Sequence, residues 1–422
     1  MKVKMPDGII QRSASAKEEN DALSSSQREN RMTEMTGVEL MRFAIKEENE
    51  GTIVAAIRAN PEIAVAETIK ATLLSTLVTL GRFDMALAIL GIEGVRACWN
   101  EEHRVEIAAF SCKRRGAWKV LEKILSMGFQ SEINRTFSGI RETCGVPDGS
   151  TCLHVAALRG NLRACEILIN NGADINAVSP APDCFSPLLI SVKSSIVGFQ
   201  HLLKNIYHPQ GGRLPQYAAG MRITELLLEH GADCNAIDKF GNTPMMLAVG
   251  AGRRQMAMLL SSYGATRELS SDLISAYDNV YEACMETDNV HTYKWLLESR
   301  EWTSLHHVAV LSPRRAQKLL DDGADPMARA TFEDAHGSLT TRTPADIAGE
   351  ILASPDPRLP VSVKEAAVLI IAAAAKHSSS PSSSPSSSSS STAAAPGTSA
   401  AECRLERAAK RQRRSGRGYE KD

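Results

Sequence analysis

The chain lacks a hydrophobic run long enough to cross a membrane. Its longest mostly apolar stretch, 366–375, has about half of the roughly 20 residues that a membrane-spanning helix needs. The first ten residues also lack the apolar core of a signal peptide. We therefore expect no membrane span and no signal peptide, and we interpret 366–375 as the last helix of a folded domain.

Paired cysteines are missing as well. The nine cysteines are an odd number, and they are scattered without the spacing of a disulfide framework or of a zinc site. This pattern predicts reduced thiols, and hence a protein of the cytoplasm, the nucleus or both.

The sequence contains no recognisable catalytic motif. A glycine-rich phosphate loop and the Gly-x-Ser-x-Gly turn of the α/β-hydrolases are both absent. Cys144, Cys152 and His154 suggest a metal site or a thiol centre, but their spacing fits neither. We therefore predict a protein that is not an enzyme and that has no cofactor, no metal and no small-molecule substrate.

Neither sign of charge dominates the chain. Lys and Arg together number 48 and Asp and Glu 49, which gives a net charge of −1. A protein body that binds nucleic acid generally carries a clustered positive face. We therefore expect no nucleic acid binding, except through a short basic segment near the C-terminus.

What the sequence does contain is a repeated string. Gly-Ala-Asp begins at Gly172, Gly231 and Gly323, each time just after an apolar stretch with helical spacing. Glycine is favoured at this position because a helix often ends in a left-handed residue. The first helix of each unit is predicted to start at a hydroxyl cap, which in three units is followed by proline at the first helical position. The caps are Thr151, Ser186, Thr243, Thr303 and Thr343, and the prolines are Pro187, Pro244 and Pro344.

Residues 151–160, Thr-Cys-Leu-His-Val-Ala-Ala-Leu-Arg-Gly, resemble the Thr-Pro-Leu-His-x-Ala signature of the ankyrin repeat. The composition of the two chain ends predicts that both are disordered. The resemblance implies an all-α, ankyrin-type helix-turn-helix solenoid with short hairpin loops, of about nine units of about 33 residues. It implies that His154 and His306 make structural hydrogen bonds between units. It also makes Asn176 and Asn235 candidates for asparaginyl hydroxylation. Such a solenoid points to protein binding rather than to catalysis.

We divide the chain into five segments. They are a disordered N-terminal segment (1–34), degenerate ankyrin-like helical repeats (35–145), an ankyrin repeat domain with an insertion near 194–220 (146–376), a Ser/Pro/Ala-rich linker (377–402) and a basic tail (403–422). A plain helical bundle is the alternative for the N-terminal third, because the consensus residues vanish there while the period persists.

Two insertions and one weak unit interrupt the repeat. The insertion near 194–220 falls between two helices of one unit, and a second, within 325–343, lengthens a finger loop. Insertions in repeat arrays often lie on the binding face, and drift in a tolerant surface loop is the alternative. The weak unit lies between the Thr243 and Thr303 units, and its predicted core is Ala283, Val290, Trp295 and Leu296.

The basic tail has two possible interpretations. Its cluster Lys410, Arg411, Arg413 and Arg414 indicates a nuclear-import signal or a nucleic-acid patch. A solvated basic tail with no receptor is the alternative.

By resemblance to ankyrin arrays, another protein is expected to bind the concave face, which first helices and finger loops line. That nominates the first-helix residues Val155, Leu158, Arg159, Leu247, His307 and Val310, and the finger residues Asp183, Phe185, Asp238, Lys239 and Phe240. Phe240 could instead pack under its own finger.

The function predicted from these features is that of a non-enzymatic scaffold or adaptor. A nuclear regulatory protein that binds a transcription or chromatin factor is the first alternative. A substrate receptor of a ubiquitin ligase is the second.

Overall fold

The computed structural model describes residues 50–64, 72–137, 146, 148–179, 184–195, 213–267, 280, 290–333, 338–357 and 359–379. Contacts divide the chain into Met1–Lys376 and His377–Asp422. The fold described below is that of the first part, and the described residues of the second part only complete its last helix.

Short helices follow one another along the described residues. The α-helices are α1 (Glu50–Ala59), α2 (Leu73–Leu80), α3 (Phe83–Leu90), α4 (Glu93–Ala97), α5 (Glu101–Lys113), α6 (Trp118–Ser126), α7 (Cys152–Leu158), α8 (Leu162–Asn170), α9 (Pro187–Ser195), α10 (Arg213–Glu229), α11 (Pro244–Gly250), α12 (Arg254–Ser262), α13 (Val290–Glu298), α14 (Pro313–Asp321), α15 (Pro344–Ala353) and α16 (Val361–Ser379). Three segments are 3-10 helices: Pro61–Ala64, Phe129–Glu132 and Ser304–Val310.

The predicted helix starts are confirmed. The Thr243 hydroxyl accepts a hydrogen bond from the Met246 backbone N–H at 3.2 Å. Thr151 and Thr343 each form a reciprocal capping box with the residue three positions on, so two free N–H groups of the helix end are satisfied at once. The three predicted prolines stand first in α9, α11 and α15, where a missing N–H costs no hydrogen bond.

The predicted glycine caps are confirmed too. Gly172, Gly231 and Gly323 have φ angles of +87°, +89° and +88°. A residue with a β-carbon is strained in this left-handed region, whereas glycine is not. The chain therefore leaves each second helix at a fixed angle and enters the finger loop.

The helices pack in two rows. The first helices α2, α5, α7, α9 and α11 each contact the next one in the row, and the second helices α3, α6, α8 and α10 do the same. Helices α2, α3, α5 and α6 of the N-terminal third therefore lie in the same rows as the later units. This arrangement confirms the predicted all-α helix-turn-helix stack, while the proposed segment boundaries stay predictions.

The two insertions differ from each other in structure. Residues 213–220, which were assigned to the first insertion, belong to α10. This helix approaches α9 so closely that a β-carbon on Gly220 would lie 2.7 Å from the Ser195 β-carbon. The lengthened finger forms the only sheet among the described residues, an antiparallel pair of β1 (Ala330–Glu333) and β2 (Leu339–Arg342) in which Ala330 lies opposite Arg342.

Buried apolar side chains of the described residues form two separate clusters. One extends from Ile53 to Leu296 and the other from Leu305 to Ile370. The 304–310 helix packs directly on α12. The weak unit predicted between the Thr243 and Thr303 units stays a prediction, because residues 268–279 and 281–289 lie outside the described residues. Trp295 and Leu296 are buried as predicted, whereas Ala283 and the Val290 side chain lie outside the described residues.

Candidate protein-interaction surface

The finger loops are held by their own aspartates. In three fingers the aspartate carboxylate accepts a hydrogen bond from the backbone N–H two residues further on, at 2.8–2.9 Å. The pairs are Asp174–Asn176, Asp233–Asn235 and Asp325–Met327. Such Asx turns mimic a backbone turn, so each finger keeps one conformation at its base.

Asparagine side chains then link one finger to the next. Asn176 accepts a hydrogen bond from the Asp233 N–H at 2.9 Å and donates one to the Gly231 carbonyl at 3.1 Å. Asn134 makes the same two bonds one finger earlier, to Asp174 and Gly172, and Asn235 accepts from the Thr266 N–H at 2.8 Å. We call Asn134, Asn176 and Asn235 the asparagine ladder. Sequence reasoning missed Asn134 because no Gly-Ala-Asp string precedes it.

His154 joins two units, as predicted. Its Nδ1 lies 3.1 Å from the Thr151 N–H nitrogen, and its Nε2 lies 3.0 Å from the Phe185 carbonyl oxygen in the next unit. An N–H can only donate and a carbonyl can only accept, so Nδ1 accepts, Nε2 donates and the ring is neutral. Burial lowers the pKa of His154 to about 4, which agrees with a neutral ring. His306 bonds in the same way to Thr303 and to the Arg342 carbonyl.

A buried ion pair connects α9 to the finger before Thr243. Lys193 Nζ donates to Asp238 Oδ2 at 2.9 Å, and the two side chains are 9% and 0% exposed. Asp238 Oδ1 also accepts from the Phe240 and Asn242 backbone N–H groups, both at 2.9 Å. The ammonium lies 3.8 Å from the centre of the Phe185 ring. Asp238 therefore fixes the finger tip, and Lys193 compensates its buried charge.

Apolar side chains are exposed at successive fingers. Val178 is 59% exposed, and the equivalent residue of the next finger, Ile237, is 38% exposed. On the same finger, Phe240 is 54% exposed and the Lys239 ammonium lies 4.8 Å from the centre of its ring. We call Val178, Ile237 and Phe240 the finger row. Phe240 thus projects from its finger instead of packing beneath it.

Several predicted partner contacts are buried instead. Val155, Phe185, Asp238 and His307 are 0%, 8%, 3% and 0% exposed. Val155 is wrong as a contact because α7 is packed between α5 and α9. The Phe185 and Asp238 side chains belong to the buried ion-pair cluster, and the His307 ring lies against Trp295 and Trp302.

The remaining predicted residues differ in accessibility. Lys239 and Phe240 are exposed, whereas Leu158, Arg159, Leu247 and Val310 are half-buried. As partner contacts they stay predictions. Asp183 and the tail residues Lys410, Arg411, Arg413 and Arg414 lie outside the described residues.

His307 is a buried histidine that packs against two tryptophans. Neither ring nitrogen has a hydrogen-bond partner among the described residues. The ring centre lies 6.0 Å from that of Trp295 and 5.4 Å from that of Trp302. Burial, reinforced by the positive charge of Arg267, lowers the pKa of His307 to about 3. The ring therefore lies neutral at the junction between the two apolar clusters.

The described residues hold neither a metal-binding cluster nor a membrane-spanning helix. No three His, Cys, Asp or Glu side chains are grouped so that they could hold a metal ion. No described helix is both long and apolar enough to span a membrane.

Comparison with known proteins gives the same family as the geometry. The ankyrin repeat model matches residues 148–180, and the model for ankyrin repeats in many copies matches residues 217–260. These ranges contain α7, α8 and the first two Gly-Ala-Asp fingers.

Two relatives are named as ankyrin repeat proteins. A stretch of 136 residues is 32% identical to YahD of Escherichia coli, and it covers 27% of this chain and 65% of YahD. A stretch of 94 residues is 32% identical to FPV244 of Fowlpox virus, and it covers 22% of this chain and 14% of FPV244. The chain thus matches less than two thirds of the length of each relative. Capped helix pairs, left-handed glycine ends, linked fingers and these matches together show that the chain contains ankyrin repeats.

Proposed function

We propose that this protein is a non-enzymatic scaffold or adaptor that binds a partner protein through its first helices and finger tips. Ankyrin repeats generally mediate protein–protein interaction. The observation that carries the proposal is the finger row, in which apolar side chains project from fingers that hydrogen bonds hold in register. The basis for the nuclear and ubiquitin-ligase alternatives is the sequence alone.

The finger row has the properties of a binding hot spot. Interface energy is concentrated in a few large, rigid side chains, with aromatic and arginine residues prominent among them. Phe240 is such a side chain, and its backbone is tied to the carboxylate of Asp238. Because the fingers are already ordered, binding costs little further conformational entropy.

Replacing both Lys239 and Phe240 by Ala should weaken partner binding by about tenfold or more, because an aromatic hot spot contributes about 2 kcal/mol or more. The measurement is recovery of native partners on the immobilised protein, quantified by mass spectrometry. The matched control replaces Lys294 and Leu297 by Ala, since both are exposed on α13. Equal recovery with both variants, with helix content unchanged, would contradict the proposal.

We also propose that the basic tail directs nuclear import, on the basis of its cluster from Lys410 to Arg414. A fluorescent fusion of the whole chain should be nuclear, and removal of residues 403–422 should shift it to the cytoplasm. The same distribution for both fusions would contradict an import role.

A further inference from the structure

The last described helix, α16, has an apolar face that the fold leaves exposed. Its inner face buries Ala366, Ala367 and Ile370 in the second apolar cluster. On the opposite face lie Val361 and Val368, which are 71% and 53% exposed. A surface helix ordinarily carries polar residues opposite its buried face. The two valines therefore mark a face of α16 that is suited to packing against another protein surface.

The apolar face continues along the helix. Ala372 and Ala375 are exposed, and they follow Val368 by four and seven residues. Residues seven apart lie on the same side of a helix, because two turns take about 7.2 residues. We call Val361, Val368, Ala372 and Ala375 the valine–alanine line. Its length is about 21 Å, since each residue adds about 1.5 Å along the axis, and its small side chains allow a second helix to pack closely.

Two opposite charges flank the line, one on each side. Lys364 is half-buried and Glu365 is exposed, and neither forms an ion pair with another described residue. They follow Val361 by three and four residues. Each residue turns a helix by about 100°, so these two positions lie on opposite sides of a line drawn from Val361 to Val368. A helix that packs on the line thus meets a cation on one side and an anion on the other.

A second copy of α16 that runs parallel to the first satisfies both charges. In a two-fold pair whose axis runs along the helices, each residue of the line lies opposite the same residue of the second copy. The rotation brings the lysine side of one helix against the glutamate side of the other. Lys364 therefore faces the second copy's Glu365, and Glu365 faces its Lys364. The two facing residues differ in height by only about 1.5 Å.

An antiparallel pair that crosses at Lys364 and Glu365 would bring like charges together. Its two-fold axis runs across the helices, so each side of one helix meets the same side of the other. Lys364 would then face the second copy's Lys364, and Glu365 its Glu365. Because opposed like charges are unfavourable across an interface, the charge pattern selects the parallel orientation.

The size of the line corresponds to a weak dimer. A stable interface buries about 800 Å² on each partner, whereas the line consists of two valines and two alanines on each helix. The two ion pairs at its sides add a modest amount each. We propose that this protein forms a parallel two-fold dimer through the valine–alanine line of α16, and that the dimer assembles as the protein concentration rises.

The test measures the mass of the full chain by sedimentation velocity over a range of protein concentrations. We expect the natural chain to change from monomer to dimer as its concentration rises. The variants Lys364→Glu and Glu365→Lys each place like charges opposite one another, so each should dimerise about tenfold more weakly or worse. Mixing the two variants should restore dimerisation, because two glutamates of one chain then face two lysines of the other.

Three further variants make the test specific. The double variant with Lys364→Glu and Glu365→Lys should dimerise like the natural chain, because the swap keeps opposite charges face to face. Val368→Lys should abolish the dimer, since it places a charge inside the contact. The matched control is Lys318→Glu, a charge reversal at an exposed position of α14, and it should have no effect. The variant with Ala at 239 and 240 should also dimerise normally, which separates this proposal from the function proposed above.

Several results would overturn the proposal. They are a natural chain that stays monomeric at every concentration, a dimer that Val368→Lys leaves intact, and a mixture of the two charge variants that dimerises no better than either variant alone. Equal dimerisation by the natural chain and the single charge variants would also overturn it. The mixture serves as its own folding control, because only folded chains can regain the dimer.

Discussion

Replacing Lys193 by Met should lower the free energy of unfolding by about 3–5 kcal/mol. The Asp238 carboxylate is 0% exposed, and Lys193 is the cation that it contacts, at 2.9 Å. Met keeps the length of the side chain but leaves the carboxylate buried without a counter-charge. Urea denaturation followed by circular dichroism at neutral pH measures the loss.

Two further variants make this result specific to the ion pair. Replacing the exposed Lys119 by Met should change the stability by less than about 0.5 kcal/mol, as surface substitutions usually do. Adding Asp238→Asn to Lys193→Met should recover part of the loss, because it removes the uncompensated charge. A Lys193→Met protein as stable as the natural one would show that the pair contributes nothing.

Acid should unfold the array well before its carboxylates are all protonated. The pKa values of His154 and His307 are lowered from 6.5 to about 4 and about 3. Unfolding therefore takes up protons below pH 6.5, so the stabilisation is complete above that pH and is lost as the pH falls. By pH 4 the two histidines together remove on the order of 6 kcal/mol, which is comparable with the whole stability of a typical domain.

Replacing His307 by Phe isolates one half of this effect. It removes two buried nitrogens for which the described part of the chain offers no hydrogen-bond partner, so we expect a gain of about 1–3 kcal/mol at neutral pH and a shallower loss in acid. The measurement is urea denaturation from pH 7 to pH 4. Replacing the exposed His230 by Gln should leave both properties unchanged. An unchanged acid dependence for His307→Phe would contradict the role of this histidine.

Local chemistry made much of the fold predictable from the sequence. A hydroxyl cap at Thr243, proline at Pro244 and a left-handed glycine at Gly231 each act within a few residues of chain, so sequence neighbours are enough to identify them. His154 was predictable for the same reason, since its cap partner Thr151 stands three residues away.

Contacts between residues far apart in the sequence could not be predicted from it. Lys193 lies in an apolar stretch and pairs with Asp238, 45 positions further on, so its sequence neighbours do not identify its partner. The only signal is that a lone lysine interrupts an apolar helix. His307 was misplaced on the surface because the 304–310 segment forms a 3-10 helix with non-helical angles at His307, which turns its ring inward.

The separation of the two apolar clusters has a consequence for how unfolding spreads along the described units. Repeat stacks gain their cooperativity from the interfaces between neighbouring units, and among the described residues no single buried apolar cluster spans this junction, where the His307 ring lies against Trp295. Heat or a mutation that unfolds the units around one cluster should therefore leave the units around the other cluster folded. A partner that bound both groups of units would merge two separate unfolding transitions into one.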